Sequence, residues 1–230
     1  MYITTNQSER EKWLEQTLQK IPTGSRILDA GAGELNYKKF CKHLKYVSQD
    51  FAQYDGKGNG RGLQTSKWDQ TRLDIVSDIT SIPEPDGSFD AVMCIEVLEH
   101  LPYPVDAMKE LARLVRPGGY LVLTAPFNSL THFAPYFFHP GYSRYFYEHW
   151  LPRLDFGIID LTLNGGYFDY LAQEVNRVPS VAEQYSGRRI GWFERKALNM
   201  VSDLLGGLSR QDKGSSELLC FGIHIFAQKK

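Results

Sequence analysis

Two closely spaced glycines after an apolar run constrain the fold of this 230-residue chain more than any other feature. Ile27 and Leu28 are typical of the end of a buried strand, and Gly31 and Gly33 then permit a tight turn and close contacts that a β-carbon would obstruct. A turn of this kind brings backbone N–H groups and a helix N-terminus up to a ligand. The pattern predicts a ligand site at the end of the first strand.

The residues around the second glycine indicate which ligand the turn can accept. The dinucleotide pattern G-x-G-x-x-G fails, because Asn36 stands at the place of its third glycine. Glu34 adds a negative charge where a pyrophosphate would have to lie. A ligand with a cation and a ribose but no phosphate, such as S-adenosylmethionine, fits this turn better.

Two carboxylates follow the turn at intervals that suit such a ligand. Lys45–Asp50 has the pattern of a second strand, and Asp50 lies about 20 positions beyond Asp29, where an acidic residue can accept both ribose hydroxyls. Residues 73–79 predict a third strand, whose Asp78 could accept a hydrogen bond from an adenine amino group. Each aspartate alone could be an ordinary turn carboxylate. Their register with the glycine turn favours a binding site.

Later segments continue the alternation of strands and helices. Glu96 lies in the turn that ends the fourth predicted strand, and a helix stop precedes the fifth. Two helices, about 167–178 and 190–205, are predicted between the sixth strand and the seventh. The four remaining strands are predicted within residues 88–101, 116–126, 156–163 and 218–227.

With these motifs in order, residues 26–127 resemble the class I S-adenosylmethionine-dependent methyltransferases of the small-molecule, methyltransferase-11-like type. The resemblance implies a Rossmann-like α/β fold. Its seven-stranded, mostly parallel sheet has the order 3-2-1-4-5-7-6, with the last strand antiparallel, helices on both faces and a helical insertion before the last strand. Leu35 stands where the family often carries a further glycine. The resemblance implies that the cofactor, S-adenosyl-L-methionine, is bound by Asp29, Gly31, Ala32, Gly33, Glu34, Asp50, Phe51, Asp78, Ile79, Ile95, Glu96 and Val97.

The organisation of the chain follows from the same resemblance. Residues 52–72 are rich in glycine, have no apolar periodicity and border the expected cleft, so they form either a closing flap or a disordered excursion. We expect a single methyltransferase domain over residues 1–230, made of an N-terminal helix in 1–25, a cofactor-binding core in 26–127, an aromatic substrate-side cap in 128–155 and a helical insertion in 164–217.

Composition and charge limit the classes of binding partner and the cellular compartment that we expect for this protein. The formal net charge of −1 gives no electrostatic drive toward nucleic acid, so it argues against that partner. Three cysteines match no zinc spacing, and the charged N-terminal residues do not resemble a signal peptide. The sequence also has no apolar stretch of the ~18–20 residues that span a membrane. A cytoplasmic protein is expected.

An aromatic segment follows the fifth strand, where the chain would face the reactive methyl group. Nine of the residues between 133 and 150 are aromatic, which is more than a packed helical cap requires, although part of the segment should pack in that way. We therefore expect a substrate wall here. The residues assigned to the acceptor are Phe127, Tyr136, Arg144 and Tyr145.

Methyl transfer needs few catalytic groups from the protein, since the sulfonium is already an activated methyl donor. In-line placement of an oxygen nucleophile supplies most of the acceleration, and no metal is expected. A hydroxyl must lose its proton, and histidine has a suitable pKa, so His132 and His139 are candidate bases, with His132 preferred. His100 is expected to be a structural histidine bonded to the backbone.

Residues 187–208 combine basic side chains and tryptophan with an apolar stripe, a pattern typical of helices at anionic membrane surfaces. Peripheral contact with the inner membrane is one interpretation. An ordinary helix that covers the cleft or makes a dimer contact is the favoured alternative.

The predicted function is methyl transfer from S-adenosylmethionine to a small-molecule or saccharide acceptor, at oxygen. Residues 132–136 and 141–145 are similar to bacterial methyltransferases of surface-polysaccharide pathways. Two alternatives stay open: an RNA-directed or N- or C-directed methyltransferase on the same fold, and a non-catalytic subunit that only binds the cofactor.

Overall fold

The computed structural model describes residues 2–230. Short 3₁₀ helices at Lys38–Phe40, Leu98–His100, Leu151–Leu154 and Ser215–Glu217 connect longer elements. Those elements are, in chain order, α1 (Asn6–Leu18), β1 (Arg26–Ala30), β2 (Lys45–Asp50), β3 (Ile75–Val76), β4 (Phe89–Ile95), α2 (Pro104–Leu114), β5 (Val115–Pro126), α3 (Arg144–Trp150), β6 (Phe156–Asn164), α4 (Tyr167–Ser186), α5 (Trp192–Ser209) and β7 (Gly222–Lys229).

The strands form a single sheet whose order is β3-β2-β1-β4-β5-β7-β6. Strands β1 to β5 pair in parallel with their neighbours, and β7 pairs antiparallel with β5. The predicted fold class and strand order are therefore confirmed. Each parallel connection returns the chain to the same edge, so the carboxyl ends of β1, β2 and β4 lie side by side.

The third strand is much shorter than predicted. It covers only Ile75–Val76, although the sequence indicated a strand over residues 73–79. At the N-terminal end the reason is the side chain of Asp74, whose Oδ2 accepts hydrogen bonds from the backbone N–H and the hydroxyl of Ser48, at 2.9 and 2.7 Å. A carboxylate thus takes the place of the backbone carbonyl that a longer ladder would supply.

The chain divides into two compact units. The larger comprises Glu11–Thr162 and Gly222–Lys230. Its core is apolar on both sides of the central strands, as expected for a sheet covered by helices. The buried residues of one core cluster are Leu14, Leu18, Ile21, Ile27, Cys41, Ala91, Met93, Ile95, Val122 and Phe226.

The smaller unit comprises the residues up to Arg10 and Leu163–Phe221. Its helices α4 and α5 pack against each other, and Tyr2 donates a hydrogen bond of 2.7 Å to Asp169 at the start of α4. Among residues 2–230, no helix has both the length and the apolar character needed to cross a bilayer. Apolar side chains that α5 leaves exposed are Trp192, Phe193, Met200, Val201, Leu204 and Leu208.

Candidate functional site

The candidate site lies at the point in the sheet where the strand order reverses. Strand β1 lies between β2 and β4, so successive strands are added on one side of β1 and then on the other. Ligands of open parallel sheets bind beyond the strand ends at such a point. The glycine turn (residues 31–33) follows β1, Asp50 ends β2, and Glu96 follows β4.

Both glycines of the turn occupy positions that exclude a side chain. Gly31 has φ +80°, and a β-carbon there would lie 2.4 Å from Cγ2 of Val97. Gly33 has φ +52°, and its β-carbon would lie 2.6 Å from the ring of Trp68. Leu35, at the place of a further family glycine, also adopts a positive φ of 63°. The need for glycine in this turn is therefore confirmed.

The N–H groups of the turn bond to other parts of the protein, although the sequence suggested that they would face a ligand. Gly31 and Ala32 each donate a hydrogen bond of 2.8 Å to the carbonyl of Gln49, and Gly33 donates one of 2.9 Å to Oδ2 of Asp50. The residues after the turn form further turns and the 3₁₀ helix Lys38–Phe40 rather than an α-helix. The expectation of N–H groups left for a ligand at a helix N-terminus was wrong. These donors instead fix the end of β2.

Asp50 is the carboxylate that this network positions. Its side chain is buried, and besides Gly33 it accepts hydrogen bonds at Oδ1 from the N–H of Ala52 and from the amide of Gln70, at 3.0 and 2.8 Å. A carboxylate has about four acceptor positions. A ribose hydroxyl can therefore bind here, most simply in place of the Gln70 amide.

Asp29 supports the turn from within the sheet. It is fully buried, and Oδ2 accepts a hydrogen bond of 2.6 Å from the hydroxyl of Tyr46 on β2. Burial raises the pKa of the Asp29 carboxyl to about 7. Asp29 thus ties β1 to β2 beneath the predicted cofactor position.

The predicted adenine residues lie beyond β3. Asp78 is exposed, and its Oδ1 accepts hydrogen bonds from the N–H and the hydroxyl of Thr80, at 2.8 and 2.7 Å. This is the geometry of an ordinary turn carboxylate, with Oδ2 left for another donor. Ile79 is buried beside it. A role toward adenine stays a prediction.

The residues predicted to line the methionine portion of the cofactor lie at the end of β4. Ile95 is buried, and Glu96 adopts a positive φ of 56°, which is uncommon for a residue with a side chain. Oε1 of Glu96 accepts a hydrogen bond of 2.8 Å from the hydroxyl of Thr124 on β5. Val97 then contacts Gly31, so this segment meets the glycine turn directly.

Loop 52–72 covers these strand ends. The ring of Trp68 contacts Gly33, and the N–H of Asp69 donates a hydrogen bond of 3.1 Å to Glu34. The rings of Tyr54 and Phe133 stack at 4.6 Å, and Trp68 meets Phe133 edge-on at 5.2 Å. The sequence did not predict this pairing, and its clearest signal there was Trp68, the largest side chain of the loop.

The residues predicted to bind the acceptor do not all lie beside the residues predicted to bind the cofactor. Tyr136 lies edge-on to Phe51, with ring centres 5.0 Å apart, so it borders the residues predicted to bind the cofactor. Phe127 is partly buried at the end of β5. Arg144 instead pairs with Glu148 of its own helix at 2.7 Å, and Tyr145 is exposed.

The two candidate bases have different surroundings. Nδ1 of His132 bonds the carbonyl of Leu130 at 2.9 Å, and Nε2 lies 3.9 Å from Oε1 of Glu99. His139 is separate: its ring lies 5.6 Å from Tyr142, and its buried Nε2 has no hydrogen-bond partner among residues 2–230.

His100 completes a group with His132 and Glu99. Its Nδ1 bonds the carbonyl of Tyr136 at 2.5 Å, which confirms the expected bond to the backbone. Burial lowers the pKa of His100 to about 4, so its ring is neutral near pH 7. We call Glu99, His100 and His132 the Glu99 cluster.

Comparisons with known proteins agree with this architecture. The chain is 36% identical over 104 residues to the ubiquinone biosynthesis O-methyltransferase of Xanthomonas oryzae pv. oryzae (strain PXO99A). The matched segment covers 44% of this chain and 43% of that protein. This chain therefore matches less than half of that relative's length. The family model of a methyltransferase domain matches residues 2–178 of this chain.

Solved structures show the same fold at low sequence identity. The SAM-dependent methyltransferase of Archaeoglobus fulgidus superimposes with a TM-score of 0.56 at 14% identity, over 96% of this chain and 94% of that one. The [4+2]-cyclase SpnF gives a TM-score of 0.58 at 16% identity, over 97% and 82%. These likenesses establish the fold alone. The family match covers most of the chain, and the chain therefore belongs to the methyltransferase-domain family, of the class I type that takes its methyl group from S-adenosylmethionine.

Proposed function

We propose that this protein transfers the methyl group of S-adenosylmethionine to an oxygen atom of a hydroxylated aromatic small molecule. The observation that carries the proposal is the 2.9 Å hydrogen bond from Gly33 to Asp50, which joins the glycine turn to the carboxylate on the neighbouring strand. Asp50 would accept the ribose hydroxyls, and residues 95–97 would line the methionine portion. Asp78 and Ile79 would flank adenine.

The reaction is a displacement at carbon. The acceptor oxygen attacks the methyl carbon in line with the C–S bond, a C–O bond forms, and the electron pair of the C–S bond stays on sulfur in S-adenosylhomocysteine. The hydroxyl proton leaves to a base or to water. His132 and His139 stay predictions for that base, and Arg144 and Tyr145 stay predictions for acceptor binding.

Oxygen as the methylated atom is supported by the similarity to the Xanthomonas protein, an O-methyltransferase of ubiquinone biosynthesis. An aromatic acceptor is supported by the position of Tyr136 beside Phe51 at the border of the cofactor residues. The net charge of −1 favours a small molecule over nucleic acid. The relatives give no support for a saccharide acceptor or for the surface-polysaccharide type.

A labelled-methyl assay tests the acceptor class. The protein is incubated with methyl-labelled S-adenosylmethionine and three acceptor sets: polyhydroxylated aromatic acids and quinols, saccharides, and RNA. We expect label in the first set. Label only in saccharide or RNA would overturn the acceptor class, and cofactor binding without transfer to any set would favour a non-catalytic subunit.

Peripheral membrane contact through residues 187–208 also stays a prediction. It is supported by the exposed Trp192 and Phe193 at the start of α5, close to Arg188 and Arg189. The test is flotation with anionic phosphatidylglycerol vesicles. Flotation that the double change Trp192→Ser and Phe193→Ser abolishes would support contact, and absence of the wild-type protein from the vesicle fraction would exclude it.

A further inference from the structure

Three side chains that can donate electron pairs converge just beyond β4. In the Glu99 cluster, Oε1 of Glu99 lies 3.7 Å from Nε2 of His100 and 3.9 Å from Nε2 of His132. One potential ligand atom from each of the three residues lies within 4.8 Å of the others. Glu99 is almost completely buried and His132 retains 22% exposure, so the group is open on the His132 side.

The hydrogen bonds of the two rings fix which nitrogen faces the centre. Nδ1 of His100 bonds the carbonyl of Tyr136, and Nδ1 of His132 bonds the carbonyl of Leu130. A carbonyl oxygen only accepts, so each Nδ1 carries a proton, and Nε2 of either ring holds a lone pair whenever that ring is neutral. Histidine ligands of metals are oriented in this way by a backbone carbonyl.

Two ring nitrogens and a carboxylate oxygen that face one another can hold a positive ion placed between them. Ligand atoms about 2.1 Å from an ion at the tetrahedral angle lie about 3.4 Å apart. The two distances from Glu99 exceed this by a few tenths of an ångström, which side-chain rotation can close. Two histidines with one glutamate, and one open position, are typical of catalytic zinc sites.

We propose that the Glu99 cluster binds a divalent first-row transition ion, such as Zn²⁺, through Glu99, His100 and His132, with an open position for the acceptor oxygen. This replaces the expectation of a reaction without metal. With Nε2 of His132 on the ion, that ring is a ligand rather than a base.

The consequence for the reaction rests on the proposed function. An acceptor hydroxyl bound at the open position loses its proton to water more readily, because the ion lowers its pKa. The resulting oxygen anion then attacks the methyl carbon as described above. The cluster is well placed for this, since Glu99 follows Val97 by two residues and the ring of His100 stacks on Phe133 at 5.2 Å.

Metal binding can be measured without the cofactor. The full-length protein is freed of metal with a chelator and titrated with Zn²⁺ in a calorimeter, and with Co²⁺ while the visible absorption bands are recorded. The variants are His132→Gln and Glu99→Gln, with His149→Gln as a control, because His149 is exposed on α3 and outside the cluster. Circular dichroism checks the fold of each variant.

We expect one ion per chain, with cobalt bands of a nitrogen and oxygen site. Affinity should fall at least about tenfold in His132→Gln and Glu99→Gln and stay unchanged in His149→Gln. Absence of saturable binding, or equal affinity in wild type and His132→Gln, would overturn the proposal. If Glu99→Gln does not fold, His132→Gln decides alone.

The same samples are titrated with S-adenosylmethionine, which separates the two proposals. Cofactor binding without metal binding would remove the metal site and leave the proposed function standing. Metal binding without cofactor binding would remove the proposed function and leave the metal site standing.

Discussion

The backbone N–H of Gly33 donates a 2.9 Å hydrogen bond to Oδ2 of Asp50, and it is this bond that makes one site out of two separate sequence signals. The donor belongs to the turn after β1, and the acceptor ends β2. Because the two strands are parallel neighbours, their carboxyl ends meet at the same edge. A buried carboxylate held by a backbone donor is oriented before any ligand arrives.

The contact between Gly31 and Val97 predicts a stability difference between two glycine substitutions. Gly31 and Gly24 have nearly the same φ, +80° and +84°, but a β-carbon at Gly24 would meet no atom within 4 Å. Both alanine variants incur backbone strain of about 1–2 kcal/mol. Gly31→Ala should lose about 1–3 kcal/mol more, because it also overpacks the site. Urea unfolding measures the difference, and equal losses would contradict it.

Adding Val97→Ala to Gly31→Ala tests the cause of that extra loss. The change removes both Cγ atoms of Val97, which lie 2.4 and 2.8 Å from the place that the β-carbon of an alanine at position 31 would occupy. The double variant should recover part of the extra loss in unfolding free energy. If it is no more stable than the sum of the single changes predicts, the two residues are not coupled.

The position of Trp68 against Gly33 predicts an optical signal for cofactor binding. A ligand at the glycine turn must alter the environment of this ring, so titration with S-adenosylmethionine should change the tryptophan fluorescence. Most of that change should disappear in Trp68→Phe and persist in Trp192→Phe, whose ring is exposed on α5. An undiminished change in Trp68→Phe would place loop 52–72 away from the ligand.

Burial of Asp29 predicts a particular pH dependence of stability. The pKa of this carboxyl rises from 3.8 to about 7 on folding. Below about pH 4 both states hold the proton, and between about pH 4 and 7 only the folded state does. Wild type should therefore lose stability relative to Asp29→Asn as pH rises through this window, by about 1.4 kcal/mol per pH unit, with no further loss above it. Unfolding curves at pH 4.5, 6 and 8 measure this, and a constant difference would contradict it.

The sheet could be predicted from sequence because its signals are local. Apolar runs, the glycine turn and the strand-end acids specify β1, β2 and β4, and the predicted order of the strands is confirmed. The residue at which β3 begins could not be predicted, since it depends on the carboxylate of Asp74 replacing a ladder acceptor for Ser48. A side chain that competes with the backbone leaves no periodic pattern.

The site was predictable where it lies on strand ends and not where loops return to it. Asp50 follows from its distance along the chain to the glycine turn. The contacts of Tyr54 and Trp68 with Phe133 join segments far apart in sequence, and neither segment has a regular apolar repeat. The approach of His132 to Glu99 depends on that same pairing, so the Glu99 cluster could only be recognised in three dimensions.

Calorimetric titration of wild type, Asp50→Asn and Asp86→Asn with S-adenosylmethionine tests the cofactor site most directly. Asp86 serves as the charge-matched control, because its side chain is 82% exposed. We predict saturable binding by wild type and Asp86→Asn, and an affinity reduced roughly 10- to 100-fold in Asp50→Asn, the effect of losing hydrogen bonds to a charged group. Equal affinity in all three proteins, or no binding by wild type, would contradict a cofactor site built on Asp50.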